Sequence, residues 1–191
     1  MRQIPPEIIT AARATQAKWA VPASVTIAQW ALESAFGEHM PSGSNNPFGI
    51  KARPGEPSVT AMTREVLHGQ SVHIPQAFRK FASIEEAFEL HGQLLHDGRP
   101  YRRAMMLTDS PDAFANALTG VYATDPNYGS SLIRLMHTYN LYQYDKPALQ
   151  VANSGNLLVS APRQSEPIPA PPPPRNGGFW SSLLSIFRKA A

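Results

Sequence analysis

Apolar residues recur at helical spacing through most of the first 145 residues. A first helix is predicted from residue 6 to about residue 20, and a second from about residue 23 to residue 36. Pro22 separates them, because proline disfavours the helical conformation of the residue before it. The apolar positions of the second helix follow one another at three- and four-residue steps, the spacing of one helix face: Val25, Ala28, Leu32 and Ala35.

The pattern changes between residues 58 and 81, where short apolar runs flank a predicted turn at residues 68–70. This arrangement predicts a two-stranded hairpin. Four more helical segments follow, three of which begin at the capping signatures of Ser83, Ser110 and Asp125. They are predicted at about residues 83–96, 102–107, 111–118 and 125–142. The fold class expected is therefore mainly α, with one small β-hairpin.

The composition changes after Asp145. Residues 147–178 are rich in Pro, Ser, Ala, Asn and Gly, a composition that cannot bury a core. In residues 179–191, a helix would place most apolar side chains together and the serines elsewhere, with Arg188 and Lys189 near its end, which is typical of a cationic amphipathic helix. We therefore divide the chain into a globular domain at residues 1–146, a flexible linker at 147–178 and a short helix at 179–191.

Composition and charge exclude several classes of function. The chain has no cysteine, which removes disulfides, thiolate metal sites and a cysteine nucleophile. Lys+Arg and Asp+Glu balance over residues 1–150, so the net charge of +3 belongs to the last 41 residues. A nucleic-acid binder is expected to carry its basic surface on the fold, and this class is therefore not favoured.

The start of the chain and its longest apolar runs bear on its location. The first residues contain no apolar stretch of the kind that directs secretion, and no run approaches 18 apolar residues. We therefore expect the protein to be made in the cytoplasm without a signal peptide.

Glu33 is the first candidate for chemistry, because it is an acid inside an otherwise apolar helix. A carboxyl group held among apolar neighbours keeps its proton to higher pH, as a general acid near neutrality requires. The alternative is that Glu33 faces solvent on an amphipathic helix.

Three further residues each have a structural alternative to a role in catalysis. Glu65, on the first predicted strand, is either a second carboxylate across a cleft or an exposed strand residue. Asp125 is explained by an N-cap role alone. Tyr122 is a core residue, a ring that stacks on sugar, or a hydroxyl donor. The six histidines show no metal-binding spacing, so no metal or other cofactor is expected.

Four strings, occurring together and in order, closely resemble the bacterial glucosaminidases of glycoside hydrolase family 73. They are IAQWALES at residues 27–34, NNPFGIKA at 45–52, FRKFASIEE at 78–86 and YATDPNY at 122–128. The resemblance covers about residues 5–145. It implies a lysozyme-like α+β fold, in which a helical lobe and a small β-hairpin lobe flank a glycan-binding cleft. Pro47 and Phe81 depart from the more usual leucine and tyrosine of the family.

The resemblance also implies roles for particular residues. Glu33 matches the catalytic acid, Glu65 the second carboxylate of the β-lobe, and Tyr122 a tyrosine near the scissile bond. The expected substrate-binding residues are Asn46, Phe48, Gly49, Tyr101, Asp125 and Tyr128. Glu65 either activates water or orients the N-acetyl group of the substrate, and the sequence leaves both open.

The expected function is hydrolysis of peptidoglycan glycan strands by an endo-β-N-acetylglucosaminidase, and the protein is expected to be a monomer. The rivals are a muramidase or lytic transglycosylase that cleaves the other linkage, and a non-catalytic cell-wall binding module. Residues 179–191 would touch a membrane surface, dock into a protein groove or fold back onto the domain. The first of these, with synthesis in the cytoplasm, suggests a phage or prophage endolysin that reaches the cell wall after release.

Overall fold

The computed structural model describes residues 2–67 and 70–145, and within them a helical body carries one long hairpin. The helices are α1 (Pro6–Trp19), α2 (Ala23–Glu33), α3 (Ile84–Asp97), α4 (Arg102–Met105), α5 (Pro111–Ala117) and α6 (Tyr128–Thr138). The strands are β1 (Ser58–Leu67) and β2 (Gln70–Arg79), and short 3-10 turns lie at Arg99–Tyr101 and Leu141–Tyr144. The mainly α, lysozyme-like α+β fold class is confirmed. The predicted linker and terminal helix lie outside the described residues.

Helix α2 lies at the centre of the helical body. All of its residues except Leu32 are buried, and it packs against α1, α5, α6 and the last 3-10 turn. Such all-round burial explains why its sequence is apolar on nearly every face. The polar residues that remain on it, Gln29 and Glu33 among them, must therefore find partners inside the protein or take part in its chemistry.

The hairpin is antiparallel, and its register runs from Ser58 opposite Arg79 to Leu67 opposite Gln70. The prediction of a hairpin is confirmed, although Gln70 belongs to β2 and not to the turn. The base of the hairpin is tied to the loop before it, since the Arg79 amide donates to the Ile50 carbonyl at 2.8 Å. This contact places the β-lobe directly beside the loop that follows α2.

The second and last predicted helices are shorter than expected. The prediction that α2 reaches Phe36 was wrong: it ends at Glu33, because Ala35 and Phe36 adopt left-handed φ angles of 49° and 62°. The prediction that the last helix runs from residue 125 to residue 142 was also wrong. It begins at Tyr128 and ends at Thr138, before the left-handed Asn140.

Two predicted capping signatures are confirmed by their hydrogen bonds. The Ser83 hydroxyl accepts from the Glu86 amide at 3.3 Å, and the Ser110 hydroxyl accepts from the Ala113 amide at 3.4 Å. Both satisfy amide groups of a first helical turn. In the part of the chain that the structure describes, no helix is both long and apolar enough to cross a membrane.

Candidate active site

Glu33 is the last residue of α2 and is 5% exposed. The residues before and after Glu33 both fix its position. The helix that precedes it is buried. In the turn that follows it, the Ser34 hydroxyl donates to the Trp30 carbonyl at 2.6 Å and accepts from the Gly37 amide at 2.8 Å. The alternative in which Glu33 faces solvent is therefore wrong. The sharp turn after the helix fixes the carboxyl group at its end.

A hydrogen-bonded chain leads to the Glu33 carboxyl group from α6. The Tyr128 hydroxyl donates to Glu33 Oε1 at 2.7 Å, and Gln29 Nε2 donates to the same hydroxyl oxygen at 3.0 Å. Gln29 stands one helical turn before Glu33 on α2, so both side chains lie on the same face and reach Tyr128 together. Oε2 is left as the oxygen that would carry a transferable proton.

Burial sets the protonation states of this group. Loss of solvation raises the pKa of Glu33 to about 7, and the Tyr128 hydrogen bond, which favours the carboxylate, opposes this rise. Burial and the nearby Glu33 charge raise the pKa values of Tyr122 and Tyr128 well above their usual range. The site therefore holds one carboxyl group, with a pKa near neutrality, beside two neutral tyrosines.

Three aromatic side chains form a row beside Glu33. The Tyr122 ring stacks on the Tyr128 ring with centroids 5.6 Å apart and an interplanar angle of 19°, and the Tyr101 ring lies 6.2 Å from Tyr122. All three residues are at most 3% exposed. The structure thus brings together three residues that the sequence analysis had proposed separately for the site.

His91 of α3 packs under this row. Its ring stacks on Phe48 at 4.0 Å and meets the edge of Tyr122 at 5.8 Å. The residue is fully buried, neither ring nitrogen has a hydrogen-bond partner among the described residues, and burial lowers its pKa to about 3. His91 is therefore a neutral ring that links the Phe48 loop to Tyr122.

Asn46 supports the loop and is fully buried. Its side-chain Nδ2 donates to the carbonyls of Ile50 and Arg79, at 2.8 and 2.9 Å, and its Oδ1 accepts from the Ile50 amide at 3.0 Å. These bonds engage both ends of the amide within the protein. Gly49 has a φ of 62°, which favours glycine. Asn46 and Gly49 thus shape the loop, and Asn46 joins it to β2.

Asp125 lies on the surface, and its contacts are local. Its Oδ1 accepts from the Asn127 amide at 2.9 Å, and its carbonyl accepts from the Tyr128 amide at 3.0 Å. The residue thus orders the turn that leads into α6, and with it the position of Tyr128. The prediction that Asp125 is the N-cap was wrong, since the N-cap of α6 is Asn127 and the helix begins at Tyr128.

Glu65 lies on β1, in register with Val72 on β2. It stands two residues beyond Thr63, which is 3% exposed.

Within residues 2–67 and 70–145, no group of three or more His, Cys, Asp or Glu side chains is placed to hold a metal ion.

Two residues of the site were missed by the sequence analysis. Gln29 could have been found, because a polar residue four positions before Glu33 on an apolar helix must share its face. His91 carried no such signal: nothing in the sequence separates it from the other five histidines.

Comparison with known proteins gives consistent matches over the described region. The sequence model of the family described as mannosyl-glycoprotein endo-beta-N-acetylglucosaminidase matches residues 9–141. A probable N-acetylmuramidase from Lactococcus lactis is 37% identical over 141 residues, covering 69% of this chain and 32% of that protein. The exo-glucosaminidase LytG of Bacillus subtilis is 33% identical over 135 residues, covering 68% and 48%. The chain thus spans a third to a half of the length of these relatives.

A solved structure shares the fold. The catalytic domain of the autolysin Auto from Listeria monocytogenes matches with a TM-score of 0.67 and 32% identity, covering 76% of this chain and 91% of that one.

Proposed function

The chain belongs to the glucosaminidase family, and on this premise we propose that it hydrolyses the glycan strands of peptidoglycan as an endo-β-N-acetylglucosaminidase. The observation that carries the proposal is the Glu33 carboxyl group, buried at the end of α2 with a pKa of about 7. A carboxyl group with this pKa is still substantially protonated near neutral pH and can give up its proton in the transition state.

The chemistry assigned to Glu33 is protonation of the glycosidic oxygen as positive charge develops on the sugar ring. Tyr128 donates to Oε1, so Oε2 would carry the proton. When the proton leaves, the Tyr128 hydroxyl is already oriented to stabilise the new carboxylate. Tyr122, kept neutral by burial and by the Glu33 charge, would offer its ring or hydroxyl to the sugar beside the broken bond.

Glu65 is proposed as the second carboxylate. Its position on β1 of the hairpin agrees with the family pattern that relates it to the FRKF string at the end of β2. It would either activate water or orient the N-acetyl group of the substrate. The anomeric form of the first product separates the two: inversion indicates an activated water, and retention indicates participation of the N-acetyl group.

The bond that is cleaved is the finer part of the proposal. Of the two curated relatives, one is named a probable N-acetylmuramidase and the other an exo-glucosaminidase. We favour the glucosaminidase linkage because the matching family model is described by that activity. Mass analysis of the products decides it, since a glucosaminidase leaves a reducing N-acetylglucosamine end, a muramidase a reducing N-acetylmuramic acid end, and a transglycosylase a 1,6-anhydro end.

The test compares wild type, Glu33→Gln and Glu38→Gln on purified peptidoglycan. Glu38 is a matched control: it lies five residues further on and forms an exposed ion pair with Arg2 at 3.0 Å. We expect wild type and Glu38→Gln to release soluble muropeptides with reducing N-acetylglucosamine ends, and Glu33→Gln to lose at least a hundredfold of the rate. Equal release by wild type and Glu33→Gln would exclude Glu33 as the acid, whereas no release by either protein would favour a non-catalytic binding module.

Residues 179–191 are proposed to contact a membrane surface, in the setting of a phage or prophage endolysin. The support is the sequence pattern alone, with Phe179 and Trp180 at one end and Arg188 and Lys189 at the other. Deletion of residues 177–191 should leave hydrolysis of purified peptidoglycan intact and weaken binding to anionic liposomes. Unchanged liposome binding would refute this part of the proposal.

A further inference from the structure

One short segment presents arginines to solvent on a single face. Arg99, Arg102 and Arg103 are exposed, whereas Tyr101 between them and Ala104 after them are buried. The three arginines stand at i, i+3 and i+4 across the 3-10 turn Arg99–Tyr101 and the start of α4, a spacing that puts side chains side by side. Met106, at i+7, continues the same line and is 84% exposed. We call Arg99, Arg102 and Arg103 the arginine face.

The arginine face has no partner among residues 2–67 and 70–145. None of its three guanidinium groups forms an ion pair, a hydrogen bond or a ring contact there. Arg2, Lys18 and Arg79, by contrast, each lie against a glutamate. Because positive and negative residues balance over residues 1–150, three unpaired arginines within five residues are a local excess of positive charge. Such an excess attracts an anionic ligand.

The segment that carries the arginine face also carries part of the site. Tyr101, between Arg99 and Arg102, turns inward, and its ring lies 6.2 Å from that of Tyr122. Tyr122 stacks on Tyr128, whose hydroxyl donates to Glu33. The arginine face is therefore the outer side of the same segment whose inner side ends the aromatic row, so an anion bound there would lie on the segment that carries Tyr101.

We propose that the arginine face binds the carboxylates of the peptide stems that branch from the glycan strand of peptidoglycan. The proposal rests on the function proposed above. Stems leave the polymer at every muramic acid residue, so a strand lying in the site must pass stems over its rim. Each stem carries several carboxylates, and guanidinium groups bind carboxylates in a bidentate manner. The exposed Met106 side chain adds an apolar contact for the alanine methyl groups of a stem.

The charge of the remaining chain argues against an occupant from within this protein. Residues 151–191 hold four basic residues and one acid, a net charge of +3. This segment would be repelled by the arginine face. An occupant of the arginine face would therefore be a separate anionic ligand, and the peptide stem is the one that the proposed substrate already supplies.

The test uses two forms of one substrate: soluble glycan strands with their peptide stems, and the same strands after an amidase has removed them. Wild type is compared with the triple variant Arg99→Gln, Arg102→Gln, Arg103→Gln. The control variant, Arg2→Gln, Lys18→Gln, Arg134→Gln, removes the same charge from exposed positions elsewhere. The measured quantity is kcat/KM for each protein on each substrate at low salt.

We expect the triple variant to lose on the order of tenfold in kcat/KM on stem-bearing strands, mostly through KM, because exposed charge contacts are individually weak and add. On strands without stems, the kcat/KM of the triple variant should fall by less than about twofold. The control variant should keep the kcat/KM of wild type on both substrates. The effect should shrink as salt rises, since exposed charges are screened.

Three outcomes would overturn the proposal. One is an equal loss on both substrates, which would mean that the arginines serve the fold or the glycan. A second is no loss on either substrate. The third is a triple variant that hydrolyses both substrates like wild type but no longer binds phosphatidylglycerol vesicles in a separate sedimentation assay. That result would make a membrane surface the ligand of the arginine face.

A second measurement separates this proposal from the proposed function. Free stem tetrapeptide is titrated into the ¹⁵N-labelled full chain, and the arginine side-chain Nε–Hε signals are followed. We expect shifts at Arg99, Arg102 and Arg103 and none at Arg134, and their absence would overturn the proposal even if the glycan is cleaved. If wild type cleaves neither substrate, the proposed function fails while the titration still tests the arginine face.

Discussion

The hydrogen bond from Tyr128 to Glu33 makes a quantitative prediction about the pH dependence of activity. Tyr128→Phe removes one hydroxyl group that donates to Glu33 Oε1 at 2.7 Å and accepts from Gln29 at 3.0 Å. The ring remains, so its stacking on Tyr122 should survive. The substitution therefore changes the electrostatics of the carboxyl group more than the shape of the site.

The expected magnitude follows from the strength of such a bond. A hydrogen bond to a charged acceptor contributes about 1.5–3 kcal/mol, and about 1.4 kcal/mol corresponds to one pKa unit. The bond favours the carboxylate and so holds the pKa of Glu33 down to about 7 against the effect of burial. Without it, the pKa should rise by about 1–2 units. Because Glu33 acts in its protonated form, the alkaline limb of the kcat/KM profile should move to higher pH by the same amount.

The assay is kcat/KM on soluble glycan strands between pH 4 and 10, supported by a ¹³C NMR titration of glutamate carboxyl groups with Glu33→Gln as the assignment reference. Tyr142→Phe is a matched control, since it removes a tyrosine hydroxyl that donates to the Asp112 carboxylate at 2.6 Å. The peak rate should fall in Tyr128→Phe, because Gln29 loses its acceptor and Glu33 its support. An alkaline limb that stays in place, or moves to lower pH, would refute the reasoning.

Two further predictions concern stability, measured by urea unfolding. Burial lowers the pKa of His91 to about 3 in the folded protein, whereas histidine in the unfolded chain has its usual pKa near 6.5. Between these two pH values only the unfolded chain binds the proton. The free energy of unfolding should therefore fall as the pH drops from about 6.5 towards 3. His91→Phe keeps a ring against Phe48. Its free energy of unfolding should be close to that of wild type at pH 7 and higher than that of wild type at pH 4. An identical pH dependence of the two proteins would contradict this prediction. Asn46→Ala removes three buried hydrogen bonds, to Ile50 and Arg79, and should cost about 2–4 kcal/mol, whereas a loss below about 1 kcal/mol would show that the loop does not depend on it.

The order and type of the elements could be predicted from the sequence, because the signals for them are local. Apolar spacing marked the helices, proline and serine marked several of their starts, and short apolar runs marked the hairpin. The ends of α2 and α6 could not be predicted in the same way. Helix α2 ends where Ala35 and Phe36 are left-handed, although neither residue type favours that conformation, so the surrounding contacts outweigh local preference there. Helix α6 ends before the left-handed Asn140, a residue type that tolerates this conformation.

The candidate site shows the same division. The acid residue itself was evident from its apolar surroundings and from the string around it, but whether that helix face was buried was left open. The structure decided it by placing α2 at the centre of the helical body. The side-chain amide of Asn46 is engaged by Ile50 and Arg79, a contact that the sequence did not reveal, and its role in substrate binding stays a prediction.

What the sequence determined by itself was the set of helices and strands, the family resemblance and the position of the acid. Only the tertiary structure decided how that acid is tuned. Tyr128 lies 95 residues from Glu33 along the chain, and His91 meets both Phe48 and Tyr122 only after α3 has packed beneath them. A pKa responds to burial and to partners within a few ångströms, and in this site those neighbours are brought together from α2, α3, α6 and the connecting loops by packing, a relation that no local pattern of residues contains.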